Sequence, residues 1–203
     1  MSNGPAAELD LANIEAAEHG HDPDHFWVFG YGSLMWNPGF EHVEAVPARM
    51  GGVHRSPCIY SWVHRGTQQR PGIVLGLDEG GMCSGLAFRV RESDRDAVVS
   101  YLRERELVTN VYVESIRHAQ LHTGGTVACL TYVVDRYHEQ YAGRLELHEL
   151  VDIISGATGK SGRNEDYFFD TARQLDAMGI EDDTMDAIAK ALLAKAKRPV
   201  TAP

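Results

Sequence analysis

Near the N-terminus an apolar strand runs directly into a glycine-rich turn, over the stretch from Phe26 to Trp36. Phe26 to Phe29 are aromatic or β-branched, which favours a buried strand. Gly30 and Gly32 lack Cβ atoms, can adopt positive φ and allow a ligand to approach the backbone closely. N–H groups at such a turn suit a carboxylate or a developing oxyanion, because they need no rearrangement when negative charge arrives. The stretch predicts a substrate-binding loop, although many ordinary strand-to-loop junctions also carry glycine.

A carboxylate that could act as general acid or base lies near the end of a predicted helix over Asp94 to Leu107. With about 100° of rotation per residue, Glu106 lies about 80° from the centre of the apolar face and Glu104 about 120° away. Glu106 is therefore the better buried candidate, although Arg105 lies nearer the centre than either glutamate. A surface run of Glu and Arg that makes local ion pairs remains an alternative at this point.

The elements that must position these residues are strands first and helices later. Strands are predicted at Phe26–Phe29, His42–Met50, Val53–Trp62, Ile73–Leu77, Met82–Val90, Val111–Arg117 and Val127–Val134. The glycine pairs that begin at Gly51, Gly80 and Gly124 predict tight turns or hairpins. Besides the helix over Asp94–Leu107, with Ser93 as its N-cap, helices are predicted at Leu145–Ile154, Asn164–Met178 and Asp183–Lys197. This order predicts an α+β fold, with a mixed β-sheet or small barrel and helices packed outside.

The domain is expected to cover residues 26–197 as a single unit. Residues 1–25 predict a mobile N-terminal leader, and residues 198–203 a C-terminal tail. The leader contains a run from His19 to His25 whose side chains can bind metal. Nothing there predicts a fixed scaffold, so a solvated polar tail is the simpler interpretation and no metal site is predicted.

Charge and cysteine content exclude several classes of protein. The net charge of −10 over 203 residues argues against binding to nucleic acid or to an anionic membrane surface. The cysteines Cys58, Cys83 and Cys129 are widely spaced, and they predict small core residues in a reducing cytosol. No apolar run approaches a membrane span, and the acidic N-terminus is unlike a signal peptide. We therefore expect a cytoplasmic protein, whose oligomeric state the sequence does not predict.

Two nucleotide-binding patterns fail on their spacing. Gly159-Lys160-Ser161 is similar to the end of a phosphate loop, but the first glycine of that pattern falls at Ile154, within a predicted helix. The turn at Gly30 begins like a dinucleotide-binding motif, yet Met35 occupies the position of its third glycine. The serine of the same turn also lacks the flanking glycines of a nucleophile elbow.

Four blocks of the sequence resemble the ChaC-type γ-glutamylcyclotransferases, most closely the bacterial branch. The blocks lie within Val28–Leu34, Arg65–Gly72, Tyr101–Glu106 and Tyr141–Tyr167. The resemblance implies that the protein cleaves the small molecule glutathione to 5-oxoproline and cysteinylglycine without a cofactor. It places the catalytic glutamate on Glu106. Family members often have glycine where this chain has Asn110, and Asn also tolerates a left-handed turn.

The binding residues are expected from the needs of a γ-glutamyl substrate. The backbone N–H groups of Tyr31, Gly32, Ser33 and Leu34 would hold its α-carboxylate or γ-carbonyl oxygen. Ser33 would add a hydroxyl group, and Tyr141 would be a second polar contact.

Positive charge is also needed, because glutathione carries two carboxylates. Arg70 and Arg163 are candidates, as are Arg65 and Lys160. Ordinary ion pairs explain each of them equally well. For the segment from Ser161 to Asn164, helix capping with packing is at least as good an explanation as substrate contact.

Two alternatives to glutathione cleavage remain open. One is a cyclotransferase for other γ-glutamyl amino acids or amines. The other is a non-catalytic module that keeps the pocket and binds a γ-glutamyl metabolite.

Overall fold

A five-stranded closed barrel forms the centre of the protein, whose computed structural model describes residues 22–107 and 109–197. Within this part of the chain the barrel order is β1-β3-β2-β4-β5, and it closes where β1 runs parallel to β5. The elements are β1 (His25–Gly30), β2 (Glu44–Ser61), β3 (Gly72–Arg91), α1 (Arg95–Glu106), β4 (Tyr112–Leu121), β5 (Thr126–Val134), α2 (Leu147–Ile154), β6 (Thr158–Gly159), β7 (Gly162–Arg163), α3 (Asn164–Ala177) and α4 (Asp183–Ala196). The predicted α+β fold, a small barrel with helices outside, is confirmed.

Two of the three predicted glycine turns are wrong. The strands on either side of Gly51-Gly52 form one continuous strand, β2, and those around Gly80-Gly81 form β3. The two glycine pairs face each other in a β-bulge, where the register passes from Gly51↔Met82 to Val53↔Glu79. A bulge and a tight turn both use positive φ, so the glycines alone do not distinguish them. The third pair, at Gly124, joins β4 to β5 as predicted.

The helices lie close to their predicted positions. Helix α1 begins at Arg95, after a short 3₁₀ turn over Glu92–Asp94, so the prediction of Ser93 as its N-cap is wrong. Gly156 and Gly179, with φ of 73° and 66°, follow the ends of α2 and α3 as expected. In the part of the chain that the structure describes, no helix is long and apolar enough to cross a membrane.

The buried apolar residues form four clusters, two of which contain side chains of the helices. Helix α1 packs Val98, Val99 and Leu102 against the outside of the barrel, next to Phe88. The C-terminal helices pack on Ile73 and its neighbours in β3. Both groups of helices therefore flank the end of β1, where the glycine-rich turn begins. The three cysteines are buried and free, as predicted for core residues.

Asn164 ties α3 to the barrel. Its side chain is fully buried, with Oδ1 accepting from the Ile73 N–H at 2.7 Å and Nδ2 donating to the Ile73 carbonyl at 2.7 Å. A packing role, one of the two interpretations of this residue, is what its contacts support.

We expect Asn164→Ala to lower the free energy of unfolding by about 2–6 kcal/mol, because it leaves two buried backbone groups of Ile73 unpaired and each costs about 1–3 kcal/mol. Urea denaturation of the variant measures this loss. Asp166→Ala, an exposed change on the same helix, serves as the control. Equal stability of Asn164→Ala and wild type would contradict the assignment.

Candidate active site

A cavity of about 450 Å³ lies where the glycine-rich turn, the end of α1, β3, β4 and α3 meet. This volume lies within the usual range of small-molecule sites. The residues that line it are Phe29, Tyr31, Gly32, Ser33, Leu34, Trp36, Asn37, His64, Arg65, Val74, Leu75, Arg105, Glu106, Tyr112, Tyr132, Ser161, Tyr167 and Asp170. The structure thus brings the predicted turn and the predicted glutamate to one site.

Glu106 is the last residue of α1, and its carboxylate faces this cavity. Its side chain is 18% exposed, whereas Glu104 is exposed to solvent. Burial raises the pKa of Glu106, and the charge of Arg105, whose Nε lies 3.3 Å from Oε1, lowers it in part. Among the described residues no group donates a hydrogen bond to this carboxylate, so both oxygens are available to a ligand.

Glu114 is a second buried carboxylate near the site, but its oxygens are occupied. Arg103 donates to both of them, at 2.9 and 2.8 Å, and the Tyr132 hydroxyl donates to Oε2 at 3.0 Å. Burial raises the pKa of Glu114, but these hydrogen bonds outweigh burial and hold it below its usual value. Glu114 is therefore fixed as an anion, whereas the Glu106 carboxylate accepts no such hydrogen bond from any described residue.

Arg105 connects the helix of Glu106 to the glycine-rich turn. Its Nη2 donates to Ser33 Oγ at 2.9 Å, and its Nη1 donates to the Asn37 carbonyl at 2.8 Å and the Tyr101 hydroxyl at 3.0 Å. Because Ser33 Oγ accepts from Arg105, its own hydrogen is free to point at a ligand. The helical wheel placed Arg105 near the apolar face without indicating this bridging role.

The glycines of the turn have different roles from those expected. Neither Gly30 nor Gly32 has a positive φ, so that expectation is wrong. A Cβ on Gly30 would lie 3.0 Å from Leu34 Cβ and 3.1 Å from Phe88, so glycine is needed there for packing. A Cβ on Gly32 would meet nothing within 4 Å. Gly32 lines the cavity, so its missing side chain leaves space for a ligand.

The N–H groups of the turn are available to an anion. Ser33–Met35 form one turn of 3₁₀ helix, whose first N–H groups have no partner within the helix. The N–H groups of Gly32, Ser33 and Leu34 donate to no other described residue. The geometry therefore supports the predicted carboxylate or oxyanion contact.

Tyrosine side chains form part of the cavity wall. Tyr31 of the turn was predicted as a binding residue, whereas sequence reasoning missed Tyr112 of β4 and Tyr167 of α3. The hydroxyl of Tyr112 donates to the Leu75 carbonyl at 3.1 Å, and the Leu75 N–H donates to the hydroxyl of Tyr167 at 3.3 Å. The hydroxyls of Tyr31 and Tyr112 lie close enough for each to influence the pKa of the other. Burial raises the pKa of all three, to about 12 for Tyr167, so they remain neutral hydrogen-bonding groups at neutral pH. Their positions on different elements gave no local pattern to detect.

The loop between β2 and β3 reaches the cavity through close backbone contacts. A Cβ on Gly66 would lie 2.1 Å from the Gly72 nitrogen, and one on Gly159 would lie 2.5 Å from the His64 carbonyl. These glycines let the loop pack directly on the β6–β7 hairpin. The packing places Arg65 in the cavity wall, where its guanidinium lies 5.2 Å from the ring centre of Tyr167.

Comparison with known proteins identifies the family. Residues 26–195 match the family model of the ChaC-like proteins. This chain belongs to the ChaC-like family.

Curated ChaC relatives span most of the chain. The glutathione-specific γ-glutamylcyclotransferase of Escherichia coli K12 is 34% identical over 160 residues, which cover 79% of this chain and 69% of that protein. The enzyme of the same name from Schizosaccharomyces pombe is 35% identical over 170 residues, covering 73% of this chain and 82% of its own. A crystal structure of a glutathione-specific γ-glutamylcyclotransferase from yeast superposes with a TM-score of 0.77 at 20% identity, over 84% of this chain and 96% of that one. That likeness shows a shared fold.

Three residues predicted as substrate contacts lie outside the cavity of this ChaC-like chain. Tyr141 lies on a separate cavity of about 630 Å³, where its hydroxyl donates to Asp78 at 2.9 Å. Arg70 is exposed and donates to the Ser155 carbonyl at 2.9 Å. Arg163 is exposed and pairs with Glu165. We do not carry these three residues into the proposed site, and Lys160 also lies outside the cavity lining.

The run from His19 to His25 falls partly outside the described residues, which begin at residue 22. Of its members, His25 is described, and its Nδ1 lies 2.9 Å from the Asp22 carboxylate. Within the described ranges no three His, Cys, Asp or Glu side chains are grouped as metal ligands.

Proposed function

We propose that this protein is a γ-glutamylcyclotransferase that converts glutathione into 5-oxoproline and cysteinylglycine. Its curated relatives carry the name of that activity. The observation that carries the proposal is the Glu106 carboxylate, which faces the same cavity as the free N–H groups of the turn and has a raised pKa.

The reaction needs orientation and proton transfer. The α-amine of the γ-glutamyl group attacks the γ-amide carbonyl, the new C–N bond closes the lactam ring, and the amide C–N bond to cysteinylglycine breaks. Because nucleophile and electrophile belong to one molecule, holding the substrate in a folded conformation supplies much of the rate. No redox cofactor is required, because one amide C–N bond replaces another and no atom changes its oxidation state.

Glu106 can perform both proton transfers. The α-amine arrives as an ammonium group, and Glu106 removes its proton before attack. The carboxylic acid then gives this proton to the nitrogen of the leaving cysteinylglycine. The second proton that the attacking nitrogen loses on ring closure reaches the same nitrogen, which departs as an ammonium group. A carboxylate whose pKa is raised by burial is a stronger base than an exposed one, which suits it to this exchange near neutral pH.

The glycine-rich turn can hold the negative oxygens. The N–H groups of Gly32, Ser33 and Leu34, with the Ser33 hydroxyl, face the cavity that Glu106 shares. They can bind the α-carboxylate or stabilise the oxygen of the γ-carbonyl as it gains charge. Arg105 fixes the distance between these groups and Glu106 through its bond to Ser33.

The deciding experiment is a product assay with purified protein. Incubation with glutathione should release 5-oxoproline and cysteinylglycine in equal amounts, and γ-glutamyl-alanine should be turned over more slowly. A clear preference for γ-glutamyl-alanine would favour the broader cyclotransferase. Tight binding of glutathione without any product would favour the non-catalytic module.

Arg105→Gln should shift the pH dependence of turnover. Burial raises the pKa of Glu106 and Arg105 lowers it, so removing Arg105 raises this pKa further. As the base, Glu106 must be ionised in the free enzyme. The acid limb of kcat/KM against pH should therefore move to higher pH, and Arg117→Gln, which removes an exposed ion pair with Glu79, should leave it in place. A limb at the wild-type pH in Arg105→Gln would contradict the assignment of this limb to Glu106.

A further inference from the structure

Arg65 differs from the other described arginines in its electrostatic surroundings. Within 22–107 and 109–197, every other arginine that is not exposed has a carboxylate within ion-pair distance, whereas Arg65 is partly buried and has none. The remaining described arginines without such a partner, Arg49, Arg70 and Arg144, are exposed to solvent. A partly desolvated guanidinium without an anion is costly, and it therefore suggests a missing anionic ligand.

The side chain is held in place and keeps part of its donor set open. Nη1 donates to the carbonyls of Ser161 at 2.7 Å and Arg163 at 3.3 Å, and the backbone N–H donates to Ser61 Oγ at 3.0 Å. Nε and Nη2 donate to no described residue. These two donors are the edge of the guanidinium that can bind a carboxylate with two parallel hydrogen bonds.

Arg65 shares the cavity with Glu106 and packs against Tyr167. Burial is the main influence on the pKa of Tyr167, and among the smaller ones are the charges of both Arg65 and Glu106. The charge that lowers the pKa of Glu106 is that of the neighbouring Arg105. The Arg65 guanidinium lies 5.2 Å from the ring centre of Tyr167, and Glu106, Tyr167 and Arg65 all line one cavity.

We propose that Arg65 binds the glycine carboxylate of glutathione through Nε and Nη2, and so selects the tripeptide over shorter γ-glutamyl compounds. This inference rests on the proposed function. With the α-amine at Glu106, the substrate extends away from the reacting bond along the tyrosine wall. Its terminal carboxylate lies one peptide unit farther out than that of a γ-glutamyl amino acid, a difference of about 3.3–3.6 Å.

The test compares glutathione with its glycine ethyl ester. The ester removes the anion but leaves the reacting amide unchanged, so it isolates this contact. Wild type should prefer glutathione by about 10- to 100-fold in kcat/KM, the size of a charge-assisted pair of hydrogen bonds. In Arg65→Gln the preference should fall to near unity, through a higher KM for glutathione with kcat less affected. Arg49→Gln, an exposed arginine without a carboxylate partner, is the matched control.

The outcomes separate this inference from the function. Equal turnover of glutathione and ester by wild type overturns the Arg65 assignment, as does an undiminished preference in a folded Arg65→Gln. Absence of 5-oxoproline from both substrates overturns the proposed function instead. In that event, calorimetric binding of glutathione and its ester to wild type and Arg65→Gln still tests the contact, since equal affinities for the two ligands contradict it without any turnover.

Discussion

Glu106→Gln should lower kcat for 5-oxoproline formation by about 10²- to 10⁴-fold, the usual contribution of a general acid or base. The amide keeps the shape and hydrogen-bonding capacity of the side chain but cannot accept the ammonium proton. The loss corresponds to about 2.7–5.4 kcal/mol of activation free energy. Because the substrate still fits the cavity, its dissociation constant should change much less than kcat.

The control for this variant lies on the same helix. Glu104 is exposed, so Glu104→Gln removes a carboxylate of the same type without touching the cavity. It should retain wild-type turnover. A Glu106→Gln protein with near wild-type kcat would show that another group moves the proton. Glu114 is a poor substitute, since its two oxygens already accept from Arg103 and Tyr132.

Gly32→Val should weaken glutathione binding by about 5- to 150-fold while the fold survives. A Cβ at this position meets no atom within 4 Å, and φ of −131° is accessible to any residue. The added methyl groups must therefore occupy the space of the cavity that a ligand would use. Forcing extra carbon atoms into a filled site costs about 1–3 kcal/mol, which gives the expected change in affinity. Binding is measured by calorimetry on the Glu106→Gln background to prevent turnover.

The neighbouring glycine gives the contrasting control. Gly30→Ala places its Cβ 3.0 Å from Leu34 Cβ and 3.1 Å from Phe88. It should therefore lower the free energy of unfolding, whereas the protein that does fold should bind glutathione with an affinity closer to that of wild type. If a folded Gly32→Val bound glutathione as wild type does, the turn would be only a connection between β1 and the rest of the chain.

Local features of the fold were predictable from the sequence because their causes are local. The strand before the turn depends on a run of aromatic and β-branched residues, and Asn110, with φ of 55°, takes the left-handed conformation that its side chain tolerates. The ends of α2 and α3 follow from single glycines. The bulge between β2 and β3 was not predictable, because opposing glycine pairs are recognisable only after the strands pair.

The composition of the site depends on contacts between distant segments. Tyr141 and Arg65 are equally plausible ligand contacts in the sequence, yet one hydrogen-bonds Asp78 in another cavity and the other faces Tyr167. Arg105 is a neighbour of Glu106 in the chain, but its bond to Ser33 appears only when α1 packs beside the turn. Family resemblance identified Glu106, where the helical pattern left Arg105 and a surface ion-pair run as alternatives.

The buried carboxylate of Glu106 also links stability to pH. Its pKa is higher in the folded protein than in an exposed chain, so the folded state binds its proton more tightly than the unfolded state does. The resulting stabilisation is complete below the unfolded pKa and is lost as pH rises through the folded pKa. Above the folded pKa the protein therefore carries the penalty of an ionised, desolvated carboxylate. Glu106→Gln relieves this penalty, which is measured as the free energy of unfolding of both proteins at two pH values. Because turnover needs this carboxylate, selection for activity would keep the free energy of unfolding lower than the same fold could reach with a neutral side chain at position 106.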